Sequence, residues 1–139
     1  SPVTALGVYV GMKASAKEVF GSDSLTGKSV VVQGAGHVGQ YICEHLYKEG
    51  AKIYISDIYD DRVKEVVEKY KAIPVDSEKV YDVEADIFCP SALGAIVNDD
   101  TIPRFKFKII AGAANNQLAD ETNMVKFFLT KKFFMLQIM

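Results

Sequence analysis

Residues 29–40 read "SVVVQGAGHVGQ". Three valines in a row suit a strand buried on both faces, because β-branched side chains pack well on a pleated surface. Gly34, Gly36 and Gly39 follow at once in the spacing G-x-G-x-x-G. Behind them "HVGQYICEHLYKEG" sets Val38, Tyr41, Ile42 and Leu46 on one helical face and closes on Gly50. Strand, glycine turn and helix in that order is the context the motif needs. Gly34 lets the chain turn tightly, Gly36 lets the backbone approach a pyrophosphate, and Gly39 lets helix and strand pack closely. The anion then lies at the helix N-terminus, where free amide hydrogens and the helix dipole favour it. On that reading Gly34, Ala35, Gly36, His37, Val38 and Gly39 form the phosphate-binding part of a dinucleotide site. The plainer alternative is that three glycines only make a tight turn.

The next strand offers a second test. "KIYISD" ends on Asp57, 21 residues beyond Gly36, with Ile58 after it. A carboxylate there can accept hydrogen bonds from the adenosine ribose hydroxyls and repels a 2′-phosphate. Arg62 stands a helical turn further on, so the expected cofactor is NAD rather than NADP. A role for Asp57 in capping the following helix competes with this.

Outward from the turn, strand and helix signals alternate. "TALGVYVGMKASAKEVF" (4–20) carries Leu6, Val10 and Ala14 in one helical row and Val8, Met12 and Val19 in neighbouring rows, with Thr4 as N-cap and Gly21 as stop. "DDRVKEVVEKYK" (60–71) is a further helix with Val63, Val66, Val67 and Tyr70 inward. "AIPV", "ADIFCPS" and "FKIIAGAANN" supply the third, fourth and fifth strands. The alternation predicts an α/β, Rossmann-like, doubly wound domain with a mainly parallel sheet flanked by helices, truncated at its C-terminal end.

Composition excludes several classes. The 139 residues, 49% apolar and 24% charged, suit one globular domain. A net charge of -2 leaves no basic stripe for nucleic acid. Cys43 and Cys89 match no zinc spacing and read as reduced core thiols. Without a signal peptide or an 18-residue uncharged apolar run, a cytoplasmic protein off the membrane is expected.

Several separated stretches also resemble one family. "SPVTALGVYVGMKA", "GSDSLTGKSVVVQGAGHVG", "DIFCPSALGAIVND" and "IIAGAANNQL" are similar, in order, to the cofactor domain of the glutamate/leucine/phenylalanine/valine dehydrogenases, and to its leucine dehydrogenases in particular. The resemblance covers residues 1 to about 118. It implies oxidative deamination of a branched-chain L-amino acid with NAD, giving a 2-oxo acid, ammonia and NADH. It places Thr4 near the nicotinamide carboxamide. Pro90, Ser91 and Ala92 would border the ribose and nicotinamide, and Ala114 and Asn115 the nicotinamide side. Ser91 departs from the family, which often has cysteine there. The family's catalytic and carboxylate-binding lysines and its proton-transfer aspartate belong to a substrate domain ahead of these motifs. Lys13, Lys17 and Lys28 do not replace them, so no catalytic residue is expected here. This stretch alone would bind NAD without reacting; the amino acid and homo-oligomer assembly belong to the full-length enzyme. A stand-alone NAD-sensing module without catalysis is the alternative.

The tail "NMVKFFLTKKFFMLQIM" (123–139) is unlike the rest. Phe127, Phe128, Phe133 and Phe134 do not segregate from Lys126, Lys131 and Lys132 at helical spacing, which argues against an amphipathic anchor. Read one base out of frame, the Asn123/Met124/Val125 junctions permit His-Gly. The junctions from Phe134 to Met139 permit Tyr-Ala-Pro-Asp-Tyr. These are the landmarks with which the resembled family continues. Residues from about 119 to 139 are therefore expected to be frameshifted translation, leaving a sheet edge uncovered.

Overall fold

The computed structural model describes residues 2–91 and 107–112, with the backbone of two further short strands at 127–129 and 134–136. In chain order the elements are α1 (Pro2–Phe20), β1 (Ser29–Gln33), α2 (His37–Glu49), β2 (Lys52–Ser56), α3 (Asp60–Tyr70), β3 (Ile73–Pro74), β4 (Ile87–Pro90), β5 (Ile109–Ala111), β6 (Phe127–Leu129) and β7 (Phe134–Leu136). A short 3-10 turn, Val80–Asp82, precedes β4.

The sheet runs β3-β2-β1-β4-β5-β7-β6, parallel except for the antiparallel β6–β7 pair. From β1 the chain winds outward through β2 to β3, then returns to place β4 on the other side of β1. Strand order therefore reverses between β1 and β4, where an open α/β sheet leaves a crevice at the carboxyl ends of its strands.

Alternation along the strands sorts the core into two layers. Val30, Val32, Ile53, Ile55, Ile87, Cys89, Ile109 and Ala111 face α1, α2 and α3 on one side of the sheet. Val31, Phe88 and Ile110 face the other side, where Val80, Ala85 and Phe107 cover them. Each such fully buried aliphatic side chain contributes roughly 1.5–3 kcal/mol relative to exposure. The Phe88 and Phe107 rings stack with centroids 5.0 Å apart.

Helix ends follow local chemistry, with one exception. α1 stops where Gly21 takes a positive φ and its N–H bonds the Lys17 carbonyl. α2 stops where Gly50 does the same against Leu46 and Tyr47. Thr4, expected to cap α1, instead lies inside its first turn, which begins at Pro2. Proline suits that position because its missing N–H has no helical partner to lose. Of the apolar rows on α1, the structure buries Val8 and Met12 with Ala5 and Ala16, and leaves Leu6 and Val10 exposed. On α2, Ile42 and Leu46 are buried while Tyr41 faces outward.

β7 pairs in parallel with β5, Ile110 opposite Met135, and β6 pairs antiparallel with β7, so the edge beyond β5, expected to stand uncovered, is occupied by backbone of the tail. Among the described residues no helix is long and apolar enough to cross a membrane.

Candidate functional site

The carboxyl ends of β1, β2 and β4 enclose a cavity of about 440 Å³. Its wall is the turn the sequence singles out, from Gln33 through Gly34 to Gly36. Gly34 has φ 107°, a conformation that side chains oppose, and its N–H bonds the Ser56 carbonyl at 2.7 Å. The turn is thus tied to β2. A Cβ on Gly39 would stand 1.9 Å from the Gly34 carbonyl oxygen, so only glycine lets α2 approach the turn this closely. Gly36 differs. A Cβ there would meet only the Arg62 Nη1, at 4.0 Å. Among the described residues no packed atom needs the room that Gly36 leaves, and Gly36 lines the cavity.

Gly36 also starts α2, and no side chain caps the helix. No acidic residue stands in its first turn. The N-terminal amides and the helix dipole are therefore available to an anion at the turn. His37 and Val38 open α2; the exposed His37 ring faces a separate shallow groove with Gln40, Glu44 and Lys69. Ala35 is buried, and the Gln40 side-chain amide donates to its carbonyl at 2.9 Å.

Asp57 sits across the cavity at the end of β2. One carboxylate oxygen accepts the Ala35 N–H at 2.6 Å and the other accepts the Tyr59 N–H at 2.8 Å. The second bond closes a turn just ahead of α3; it does not reach the helix's own first amides, so Asp57 does not cap α3 in the usual sense. A carboxylate oxygen can accept more than one hydrogen bond, and Asp57 lines the cavity. A vicinal diol is the natural donor for such an edge.

Ser91, just past β4, braces the turn from the opposite side. Its hydroxyl donates to the Gln33 carbonyl at 3.1 Å, and its N–H donates to the same carbonyl at 2.7 Å. Pro90 is buried in register with Gln33, and a Cβ on Gly112 would collide with the Pro90 carbonyl at 2.1 Å. The fold therefore gathers Gly34, Gly36, Asp57, Ile58 and Ser91 around one cavity. Thr4 is exposed on α1 and does not line it. Ala92, Ala114 and Asn115 lie outside the described residues.

Sequence reasoning passed over Ser56, Ser77 and Tyr59 and set Arg62 aside as a helical turn away, yet all four also line the cavity. The Ser56 and Ser77 hydroxyls bond each other at 3.3 Å. The Arg62 guanidinium lies 4.6 Å from the Tyr59 ring centre. The sequence puts Arg62 a turn away from Asp57; the entry angle of α3 brings both into the same space. The position i+5 from a strand-end acid on an exposed helix turn was the available signal, and only the packing gives it meaning.

No lysine lines the cavity among the described residues. Lys13 instead joins the Glu49 carboxylate at 2.9 Å, and the Tyr9 hydroxyl and the Leu25 N–H donate to the same group. Burial acts to raise the Glu49 pKa, but these donors outweigh it and hold the group below the usual value. That cluster ties α1 and the 21–25 loop to the end of α2, away from the cavity. Cys43 and Cys89 are buried free thiols. Burial pushes the Cys43 pKa up to about 12 and that of Cys89 up as well. Among the described residues no cluster could hold a metal ion.

The chain is similar to known proteins. Residues 1–59 match the family model Glutamate/Leucine/Phenylalanine/Valine dehydrogenase. The leucine dehydrogenase of Thermoactinomyces intermedius is 58% identical over 121 residues, 87% of this chain and 33% of that protein. That of Geobacillus stearothermophilus is 57% identical over 120 residues, 86% of this chain and 33% of that protein. The chain thus spans about a third of the length of the curated relatives it matches. Among solved structures, L-tryptophan dehydrogenase from Nostoc punctiforme superposes with a TM-score of 0.83 at 42% identity, covering 86% of this chain and 37% of that one. These relatives are named as dehydrogenases, and the part of the chain that matches a family model, residues 1–59, is similar to the glutamate/leucine/phenylalanine/valine dehydrogenases.

Proposed function

We propose that this chain is the NAD-binding part of an amino-acid dehydrogenase of the leucine dehydrogenase kind. The observation that carries the reading is the space beside Gly36. It opens at an uncapped helix N-terminus, on the sheet's switch point, with the Asp57 carboxylate across the same cavity. The bound dinucleotide would supply the hydride acceptor; an L-amino acid oxidised at Cα becomes an imine, which water hydrolyses to the 2-oxo acid and ammonia.

The chain's own residues then have distinct tasks. The amides at the start of α2, from His37 to Gly39, hold the pyrophosphate. Asp57 accepts from the ribose hydroxyls, and Ile58 offers apolar surface beside them. Ser91 keeps the turn in place through the Gln33 carbonyl. Thr4, Pro90, Ala92, Ala114 and Asn115 are assigned to the nicotinamide end through the family resemblance. The cavity wall supplies no acid–base pair with a lysine, so the described residues orient cofactor and leave substrate chemistry to others. Branched-chain amino acids are the proposed substrate class, from the two leucine dehydrogenase relatives.

In the domain division that accompanies this reading, residues 1–118 form the cofactor domain and 119–139 are an out-of-frame segment. Resequencing the gene across codons 115–139 tests the second part: one base restoring His-Gly and Tyr-Ala-Pro-Asp-Tyr supports it, and a confirmed frame refutes it. Calorimetric titration of the chain with NADH tests the first. Saturable one-to-one binding lost on Gly36→Ala supports the reading; no binding, or binding indifferent to Gly36→Ala, refutes it.

A further inference from the structure

We propose that the amino ends of the strands carry a separate anion site, gathered around Phe20, that takes a phosphate-class dianion: free phosphate or a phosphomonoester. It lies at the opposite end of the sheet from the cavity and does not depend on the cofactor reading. Lys28 directly precedes β1 and Lys108 directly precedes β5, so their backbones flank β4 at the sheet's amino edge. Their side chains nonetheless converge on one ring. The Lys28 Nζ stands 4.3 Å from the Phe20 ring centre and the Lys108 Nζ 6.0 Å from it. Lys17, three positions before Phe20 in the last turn of α1, shares its helix face.

Two ammonium groups drawn to one ring repel each other, and a carboxylate between them would relieve that. Among the described residues none pairs with either; the ion pairs engage Lys13, Lys48 and Lys69 instead. Asp86, at the entry to β4 between the two lysines, commits one carboxylate oxygen to the Ser29 N–H and hydroxyl, at 3.0 and 3.1 Å. Glu18 stands two positions from Phe20 and so on another face of α1. The negative end of α1 helps to draw the lysines in, but its dipole amounts to about half a charge against two full ones. The ring attracts the cations without neutralising them. Lys28 is moreover half-buried, so its ammonium has lost part of its water while keeping all its donors. Several N–H donors and an excess of positive charge on one side of a ring suit a dianion with three or more acceptor oxygens better than a single carboxylate. Nucleic acid would need a longer basic track than a chain of net charge -2 offers.

The test is an amide NMR titration of the 139-residue chain with sodium phosphate at constant ionic strength. Saturable shifts are expected at the Gly21, Lys28 and Lys108 amides. The glycine turn can itself take phosphate, and the amides of residues 34–39 report that site separately. Lys28→Gln should weaken binding at the Phe20 site about fivefold, and Lys28→Gln combined with Lys108→Gln should remove it, while any midpoint at the turn stays put. Glycerol phosphate titrated in parallel distinguishes the two sources. Tighter binding of it assigns the site to phosphomonoesters, and tighter binding of inorganic phosphate assigns it to the free ion. Shifts confined to residues 34–39 overturn the proposal. So do shifts around Phe20 that never saturate, or that the double substitution leaves unchanged.

Discussion

The Asp57 carboxylate and the Ala35 N–H, 22 positions apart in the chain, meet at 2.6 Å and lock the glycine turn of β1–α2 to the end of β2. The bond gives one residue two tasks, since the same carboxylate faces the cavity. Asp57→Ala should leave the buried Ala35 N–H unpaired and cost about 1–3 kcal/mol in stability. Asp57→Asn keeps one acceptor oxygen and should cost less. Urea unfolding with NADH titration separates the tasks: both substitutions should weaken NADH binding, while only Asp57→Ala should shift the midpoint strongly.

Two glycines of one motif should respond oppositely. Gly39→Ala drives a methyl into the Gly34 carbonyl, a 1.9 Å approach that backbone must move to relieve. The expected cost is on the order of 3 kcal/mol, read as a lowered unfolding midpoint. Gly36→Ala has a φ of -76° and no close protein atom, so stability should change by under about 1 kcal/mol. NADH affinity should nonetheless fall more than tenfold. Equal destabilisation by the two would contradict the assignment of Gly36 to ligand room.

Glu49 should carry an acid-dependent share of stability. Its folded pKa lies below the ordinary 4.5, so its stabilising contribution is present above that value and is lost as pH falls through the lowered folded pKa. Glu49→Gln should cost about 1–2 kcal/mol at neutral pH, the lower part of the range because the cluster is only partly buried. Wild type and variant should converge in stability under acid conditions. Parallel pH profiles would show that the carboxylate charge is not what ties α1 to α2.

Both cysteines should resist alkylation in the folded chain. Burial holds Cys43 at a pKa of about 12 and raises Cys89 too, so thiolate is scarce at neutral pH and access is blocked. Iodoacetamide labelling followed by mass spectrometry should show neither modified under native conditions and both in denaturant. Labelling of Cys89 alone in the native state would mean that β4 opens locally.

Much of this was legible beforehand because local chemistry dictated it. "SVVVQGAGHVG" announces strand, turn and helix through residue types that few other structures tolerate, and the collision at Gly39 shows why. Asp57 directly after β2 and Pro90 at the end of β4 also lie where the pattern puts them, within a residue. Less legible was which of two apolar rows on α1 faces the core. Leu6 and Val10 are as apolar as Val8 and Met12, and only the neighbouring α2 and β5 decide. Nor does the sequence show what Ser91 does where the resembled family often has cysteine: its hydroxyl spans to a carbonyl 58 positions earlier.

By itself, then, the sequence determined the alternating architecture and the tight glycine turn between β1 and α2, because backbone sterics and hydrophobic periodicity act over a few residues. Tertiary structure alone decided that Arg62, Ser77 and Asp57 share one cavity, that Glu49 anchors α1, and that β7 continues the sheet beside β5. Those relationships depend on helix entry angles and strand order, which arise when distant segments pack and leave no periodic trace along the chain.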